Sequence, residues 1–168
     1  MRAIDLVCVL RILVWPGGKW TYRELAAQLD IGLSQAHDAM QGAKLSRLYD
    51  SNRQLVRKKN LMEFLEHGVK YAFPAYVESE AVGIRTAADA SPVRDLLTAA
   101  NEMPCVWESS LGNTPGVAVA PLHGVVPAAT RQDMVFYELM TLIDILRLDA
   151  SARQVNLARK LLAERLKT

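Results

Sequence analysis

Two short amphipathic stretches, parted by a break of only three residues, constrain this chain more than any other feature of it. Thr21 stands three residues before Glu24, the spacing of a capping box, in which each side chain satisfies an orphan amide at the start of a helix. A helix over Tyr22–Leu29 then buries Leu25, Ala26 and Leu29 on one face, and Asp30-Ile31-Gly32 breaks it. A third helix, over about 33–47, carries Ala36, Ala39, Met40 and Ala43 at 3–4 spacing, again one buried stripe. Small Ala26 permits the two helices to cross closely, Leu25, Leu29 and Ile31 fill the space beneath, and Ala36 packs the second helix back onto the first. So short a turn sets a crossing angle that projects the second helix outward. A mostly buried helix over 3–14 precedes the pair, and Pro16-Gly17-Gly18 ends it, because proline stops a helix and the glycines free the turn.

The net charge of +2 on 168 residues is uninformative as a total, but it is segregated along the chain. Residues 41–60 carry Lys44, Arg47, Arg53, Arg57, Lys58 and Lys59 against Asp50, net +5. Residues 61–144 are net −7, and residues 145–168 are net +4. A near-neutral total does not exclude a nucleic-acid partner when the charge is divided in this way. The basic block also coincides with a predicted hairpin, in which Leu48-Tyr49 and Leu55-Val56 flank the polar tip Asp50-Ser51-Asn52-Arg53.

Beyond the hairpin, Asn60 is placed to cap a helix over 61–67 that Gly68 ends. Residues 69–77, aromatic and β-branched around Pro74, read as an edge strand or extended segment, and 78–92 as loop. Ser91-Pro92 opens a predicted helix over 93–101. Cys105-Val106-Trp107 and residues 116–120 flank Gly112-Asn113 as a second hairpin, and helices over about 131–148 and 150–167 close the chain. The expected fold class is α+β, mainly α, divided into residues 1–68 and a mixed α/β body, 69–168, that ends in two helices. A chain of this length buries roughly 70% of its unfolded surface. At 51% hydrophobic and 23% charged residues, the composition excludes collagen-like and disordered classes.

Over residues 4–56 the order of leading helix, helix-turn-helix pair and short hairpin resembles the winged helix-turn-helix regulators of prokaryotes, of the general MarR-like kind. The match departs from the family at Asp30, where a glycine is usual because the position favours a left-handed backbone, a conformation that Asp tolerates better than most residues. Residues 65–75, Leu65 to Ala75, are similar to uncharacterised bacterial winged-helix proteins and add no chemistry. The resemblance implies binding of double-stranded DNA, with the third helix in a major groove and the hairpin, as a wing, on an adjacent backbone or minor groove. Off the buried stripe of that helix lie Ser34, Gln35, His37, Asp38 and Gln41. Glutamine reads adenine by two hydrogen bonds, Ser and His bond base edges or phosphate, and Asp38, whose carboxylate repels phosphate, can accept from cytosine. Lys44, Arg47, Arg53, Arg57, Lys58 and Lys59 would neutralise phosphates, and Thr21 and Tyr22 would meet a phosphate at a helix start.

Other chemistries lack a pattern. His37, His67 and His123 with Cys8 and Cys105 match no zinc spacing, and Ser109-Ser110 has no fixed-spacing partner for nucleophilic work. Gly112 to Gly116 is followed by no lysine and helix, so it is not a phosphate loop. The expectation is therefore a non-enzyme with no cofactor and no metal. The apolar start is interrupted by Asp5 and Arg11 and lacks a cleavage site, and no run approaches the roughly 20 apolar residues of a membrane span, so a soluble, cytoplasmic protein is expected. Leucine-rich stripes on the last two helices suit a homodimer, the usual state of helix-turn-helix readers. A repressor is the first reading. The alternative is an antitoxin-like or defence-associated protein whose acidic middle grips a basic protein partner, any DNA binding serving its own operon.

Overall fold

A computed structural model describes residues 1–97, 102–131, 133–148 and 150–167. Helix α1 (Ala3–Leu13) is buried over nearly its whole circumference, from Ile4 to Ile12, because other helices and the first hairpin pack around it. Its one buried acid, Asp5, accepts from the Arg2 amide at 2.7 Å and from the Arg2 guanidinium at 2.8 Å. Helices α2 (Tyr22–Leu29) and α3 (Leu33–Leu45) follow, and both bury the expected stripes: Leu25, Ala26 and Leu29 on one, Ala36, Ala39, Met40 and Ala43 on the other. Gly42 lets α3 lie against α1, since a Cβ there would stand 2.3 Å from the Asp5 carboxylate.

Strands β1 (Tyr49–Asp50) and β2 (Leu55–Val56) form the expected antiparallel hairpin, with Tyr49 opposite Val56. Helix α4 (Lys58–His67) starts earlier than the 61–67 expected. Asn60 is not its cap: Arg57 holds that position, and the Asn60 amide donates instead to the Arg47 carbonyl at 2.8 Å.

The body departs further from expectation. Residues 69–77 open with a helical turn, α5 (Val69–Ala72), rather than an edge strand. The stretch 78–92 is not loop: it holds most of β3 (Val77–Arg85) and a 3-10 turn over Ala87–Asp89. Helix α6 (Val93–Leu97) stands where one was expected, and the expected continuation to residue 101 falls on 98–101, outside the described residues. Strands β4 (Cys105–Glu108) and β5 (Thr114–Val119) do not form the second hairpin; each pairs antiparallel with β3, so they run parallel to one another. Gly83 faces Glu108 in one pairing and Thr114 in the other, and Cys105 and Val106 meet Val117 and Ala118 to close the three strands on themselves. Such closure brings backbones into contact. A Cβ on Gly83 would stand 1.8 Å from the Trp107 carbonyl oxygen, and one on Gly116 would stand 2.1 Å from that of Pro104.

A short helix, α7 (Val126–Ala129), precedes the two expected long ones, α8 (Met134–Arg147) and α9 (Ala152–Leu166). The architecture is α+β and mainly helical. One buried apolar cluster runs from Ile4 through Leu29 and Met40 to Phe136, Leu142 and Leu166, so α1 to α4 share their interior with α8 and α9. Within the strand-rich part, fully buried Asp144 accepts from the Thr86 hydroxyl at 2.8 Å, the Trp107 indole at 2.6 Å and Arg147 at 2.5 Å. Burial pushes this carboxyl up, while Arg147, Thr86 and Trp107 pull it back down. Among the described residues, no helix is long and apolar enough to cross a membrane.

Candidate nucleic-acid interface

The geometry of α2 and α3 begins with their ends. Thr21 Oγ1 accepts from the Glu24 amide at 3.2 Å, and Glu24 accepts from the Thr21 amide at 2.9 Å, so the capping box is made. Two of the amides at this helix start are thereby engaged by the helix's own side chains. At the other end, Asp30 takes φ 51° and ψ 49°, the left-handed conformation expected of it. The Asp30 amide donates to Ala27 and the Ile31 amide to Ala26, the bond pattern of a Schellman turn.

Helix α3 ends in the same way, but on a residue less suited to it. Arg47 has φ 60°, its amide donates to Lys44, and the Leu48 amide reaches back to Ala43. A left-handed arginine is strained by roughly 1–2 kcal/mol. The Asn60 bond to its carbonyl ties this turn to α4.

Opposite the buried alanines, α3 leaves Ser34, His37, Asp38, Gln41 and Lys44 exposed, with Gln35 half-buried at the margin. Leu45, 83% exposed, continues that face and was not among the residues singled out by sequence. The His37 ring stacks on the half-buried Tyr22, centroids 3.7 Å apart and planes 19° apart. Tyr22 in turn meets Trp20 edge-on at 5.1 Å, and Trp20 meets Tyr49 of β1 at 6.0 Å. This aromatic chain links the start of α2, the exposed face of α3 and the hairpin, and it gives the imidazole a fixed orientation. Burial pushes the Tyr49 hydroxyl up to about 12, so it stays neutral.

The basic residues are spread over several surfaces. Arg53 is exposed at the hairpin tip. There the Asp50 carboxylate accepts from the amides of Asn52 and Arg53, at 3.1 and 3.2 Å, and pairs with Arg57 at 3.3 Å. Those amide bonds, Arg53 first, hold the Asp50 carboxyl below its ordinary range, with Arg57 helping. Arg57 is thus partly neutralised by its own hairpin. Lys58 and Lys59 open on a groove of about 600 Å³ between α4 and the end of α9, shared with Lys167. Arg47 lines a different shallow cleft with Asn60 and His67. The structure therefore brings Tyr22 and His37 together, and it separates Lys58 and Lys59 from Arg47 across the two flanks of α4.

No protein-family model matches this chain, and no curated protein or solved structure is significantly similar to it.

Burial pushes both Cys8, inside α1, and Cys105, beside Asp89, up to about 12. The His123 Nδ1 accepts from the Val125 amide at 3.3 Å, and His67 lies 3.7 Å from Glu66. Sequence reading missed Trp20, Tyr49 and Asn60 as supports of the surface. Trp20 carried a signal, as an aromatic just before a capped helix, but the Asn60 bond spans thirteen residues and left none.

Proposed function

We propose that this chain is a sequence-specific, double-stranded DNA-binding regulator of transcription, acting as a repressor and as a homodimer. The observation that carries the proposal is the exposed face of α3. Ser34, His37, Gln41 and Lys44 recur at three- and four-residue intervals opposite an alanine-lined buried face, beside a hairpin that holds Arg53 outward. A helix so presented suits a major groove: Gln41 can bond an adenine edge twice, and Ser34 and the oriented His37 can donate to bases or phosphate. Arg53 and Lys44 supply the charge that gives affinity without sequence information.

Retardation of the chain's own upstream DNA in a gel is the test. Binding should weaken steeply with salt, and Arg53→Ala should flatten the log–log slope by about 0.9 if it neutralises one phosphate. Gln41→Ala should lower specific affinity by about 1–3 kcal/mol while leaving non-specific binding intact. No retardation even at low salt removes the reading.

A second reading has its own observation. The first four residues of β3 are exposed, Glu78 and Glu80 among them, with exposed Tyr76 just before the strand and Val82 further along it. An acidic, partly apolar strand of this kind suits a basic protein partner, as in an antitoxin-like or defence-associated protein. Co-purification of a stoichiometric neighbour-encoded protein, lost on Glu78→Lys with Glu80→Lys, would favour it.

A further inference from the structure

We propose that the groove between the start of α4 and the end of α9 is a second contact for the phosphate backbone of double-stranded DNA, extended by the exposed cations of α9. The inference rests on the DNA-binding reading above and adds a surface that neither α3 nor the hairpin supplies. Lys58 and Lys59 line the groove from α4 and Lys167 from the C-cap of α9. The basic block at residues 41–60 and the basic tail at 145–168 therefore meet here. The arginines nearby are committed: Arg57 pairs with Asp50, Arg159 donates to the Glu66 carbonyl at 3.3 Å, and Arg165 pairs with Glu138. Among the described residues, Lys58, Lys59 and Lys167 have no ion-pair or hydrogen-bond partner, and Lys59 and Lys167 are exposed. Of the two carboxylates in the groove, that of Glu66 lies 3.7 Å from His67, and Glu63 on the crest of α4 also lines the cleft on the other flank. Three unpaired ammoniums around one groove repel one another and draw a polyanion.

Helix α9 continues the charge beyond the groove. Arg153, Lys160 and Lys167 are exposed at seven-residue intervals, opposite the buried Ala158, Leu162 and Leu166, with exposed Glu164 beside them. Seven residues make about two turns, or about 10.5 Å, so the row runs about 21 Å. Each strand of a duplex carries one phosphate per about 3.4 Å of axis, so the row spans about six base pairs. The hairpin is near enough to share one duplex with it. Five residues separate Arg53 from Lys58 and reach at most about 18 Å, less than one DNA turn of about 34 Å. This continuity with the hairpin, and the even spacing of the row, favour a phosphate backbone over an acidic protein. Lysine suits that partner, because it meets a phosphate as a point charge and carries no sequence information.

The experiment titrates the full chain into a fluorescently labelled, random-sequence duplex of about three helical turns, and anisotropy gives the affinity between about 50 and 200 mM NaCl. Lys59→Ala with Lys167→Ala should lower the log–log salt slope by about 1.8, at about 0.9 for each phosphate released. The affinity lost between those two salt concentrations then shrinks about twelvefold. Adding Lys160→Ala should lower the slope by about 0.9 more. The loss from Arg53→Ala should add to these, because the hairpin and the groove hold different phosphates. Lys70→Ala, which removes an exposed cation on α5, should leave the slope unchanged. A wild-type chain that binds no duplex even at low salt removes the DNA reading and this inference together. A chain that binds, with a slope unchanged in the double variant or lowered as much by Lys70→Ala, overturns the groove alone. Poly-glutamate that displaces the duplex better than unlabelled duplex does, in the wild type but not in the double variant, assigns the groove to an acidic protein and also overturns it.

Discussion

The seam around Arg11 and the strand-rich interior around Arg147 each bury an arginine beside an aspartate, and the two arginines are finished differently. Arg147 gives Nε to the Phe73 carbonyl at 2.8 Å, and Nη1 to Ala120 and Asp144 at 3.2 and 2.5 Å. Its partner Asp144 adds Thr86 and Trp107, so one ion pair ties α8 to the ends of α5 and β5, to β4 and to the 3-10 turn. Arg11 bonds Gln28 of α2 and pairs with Asp133, while its buried Nη1 has no hydrogen-bond partner. A buried pair bonded to several separate segments of the chain holds a fold in register. A buried cation bonded along one edge ties together only α1, α2 and the start of α8.

The largest effect that would break this comparison is expected at Asp144. Asp144→Ala strands Arg147 in the interior and should cost about 3–5 kcal/mol in chemical denaturation. A loss under about 1 kcal/mol would mean that the ion pair does not organise the body. Gly83→Ala probes the same region without charge: its Cβ meets the Trp107 backbone, and an overpacking cost of about 1–3 kcal/mol or more is expected. Gln28→Ala, at the seam, removes the acceptor of two bonds from the Arg11 guanidinium and should cost about 1.5–3 kcal/mol by the same denaturation assay. A loss as large as that of Asp144→Ala would make the two sites equivalent. The smallest change is a gain. Asp30→Gly relieves a left-handed residue and should stabilise by about 0.5 kcal/mol, read as a raised melting temperature. Any destabilisation there would indicate that the Asp30 side chain makes a contact of its own.

How much of the fold could be read beforehand follows the range of the interactions. The Thr21–Glu24 cap, the stripes of Leu25 and Leu29 and of Ala36 and Met40, and the left-handed Asp30 are all contacts within a few residues, and each leaves a spacing in the sequence. Strand β3 leaves almost none. Its first four residues are all exposed, so no alternation marks it, and it is a strand because β4 and β5 pair with its backbone. Gly112-Asn113 suggested a hairpin by local turn chemistry; pairing with β3, some thirty residues away, overrode it. At the candidate interface the exposed face of α3 was legible from periodicity. The stacking of His37 on Tyr22 was not, because a stack across two helices depends on their crossing.

By itself the sequence determined the helical stripes, the caps and the turn of the α2–α3 pair, because those depend on spacing within one or two helical turns. It also determined that charge is divided along the chain, with a basic block at residues 41–60. Only the tertiary structure decided where that block points. Arg57 turns to Asp50, Lys58 and Lys59 face α9, and Arg53 stays at the hairpin tip. The tertiary structure also decided which partners the two buried arginines meet, since each draws them from segments far apart in the chain. Charge along a chain is a property of composition, but which charges meet depends on the packing that buries them.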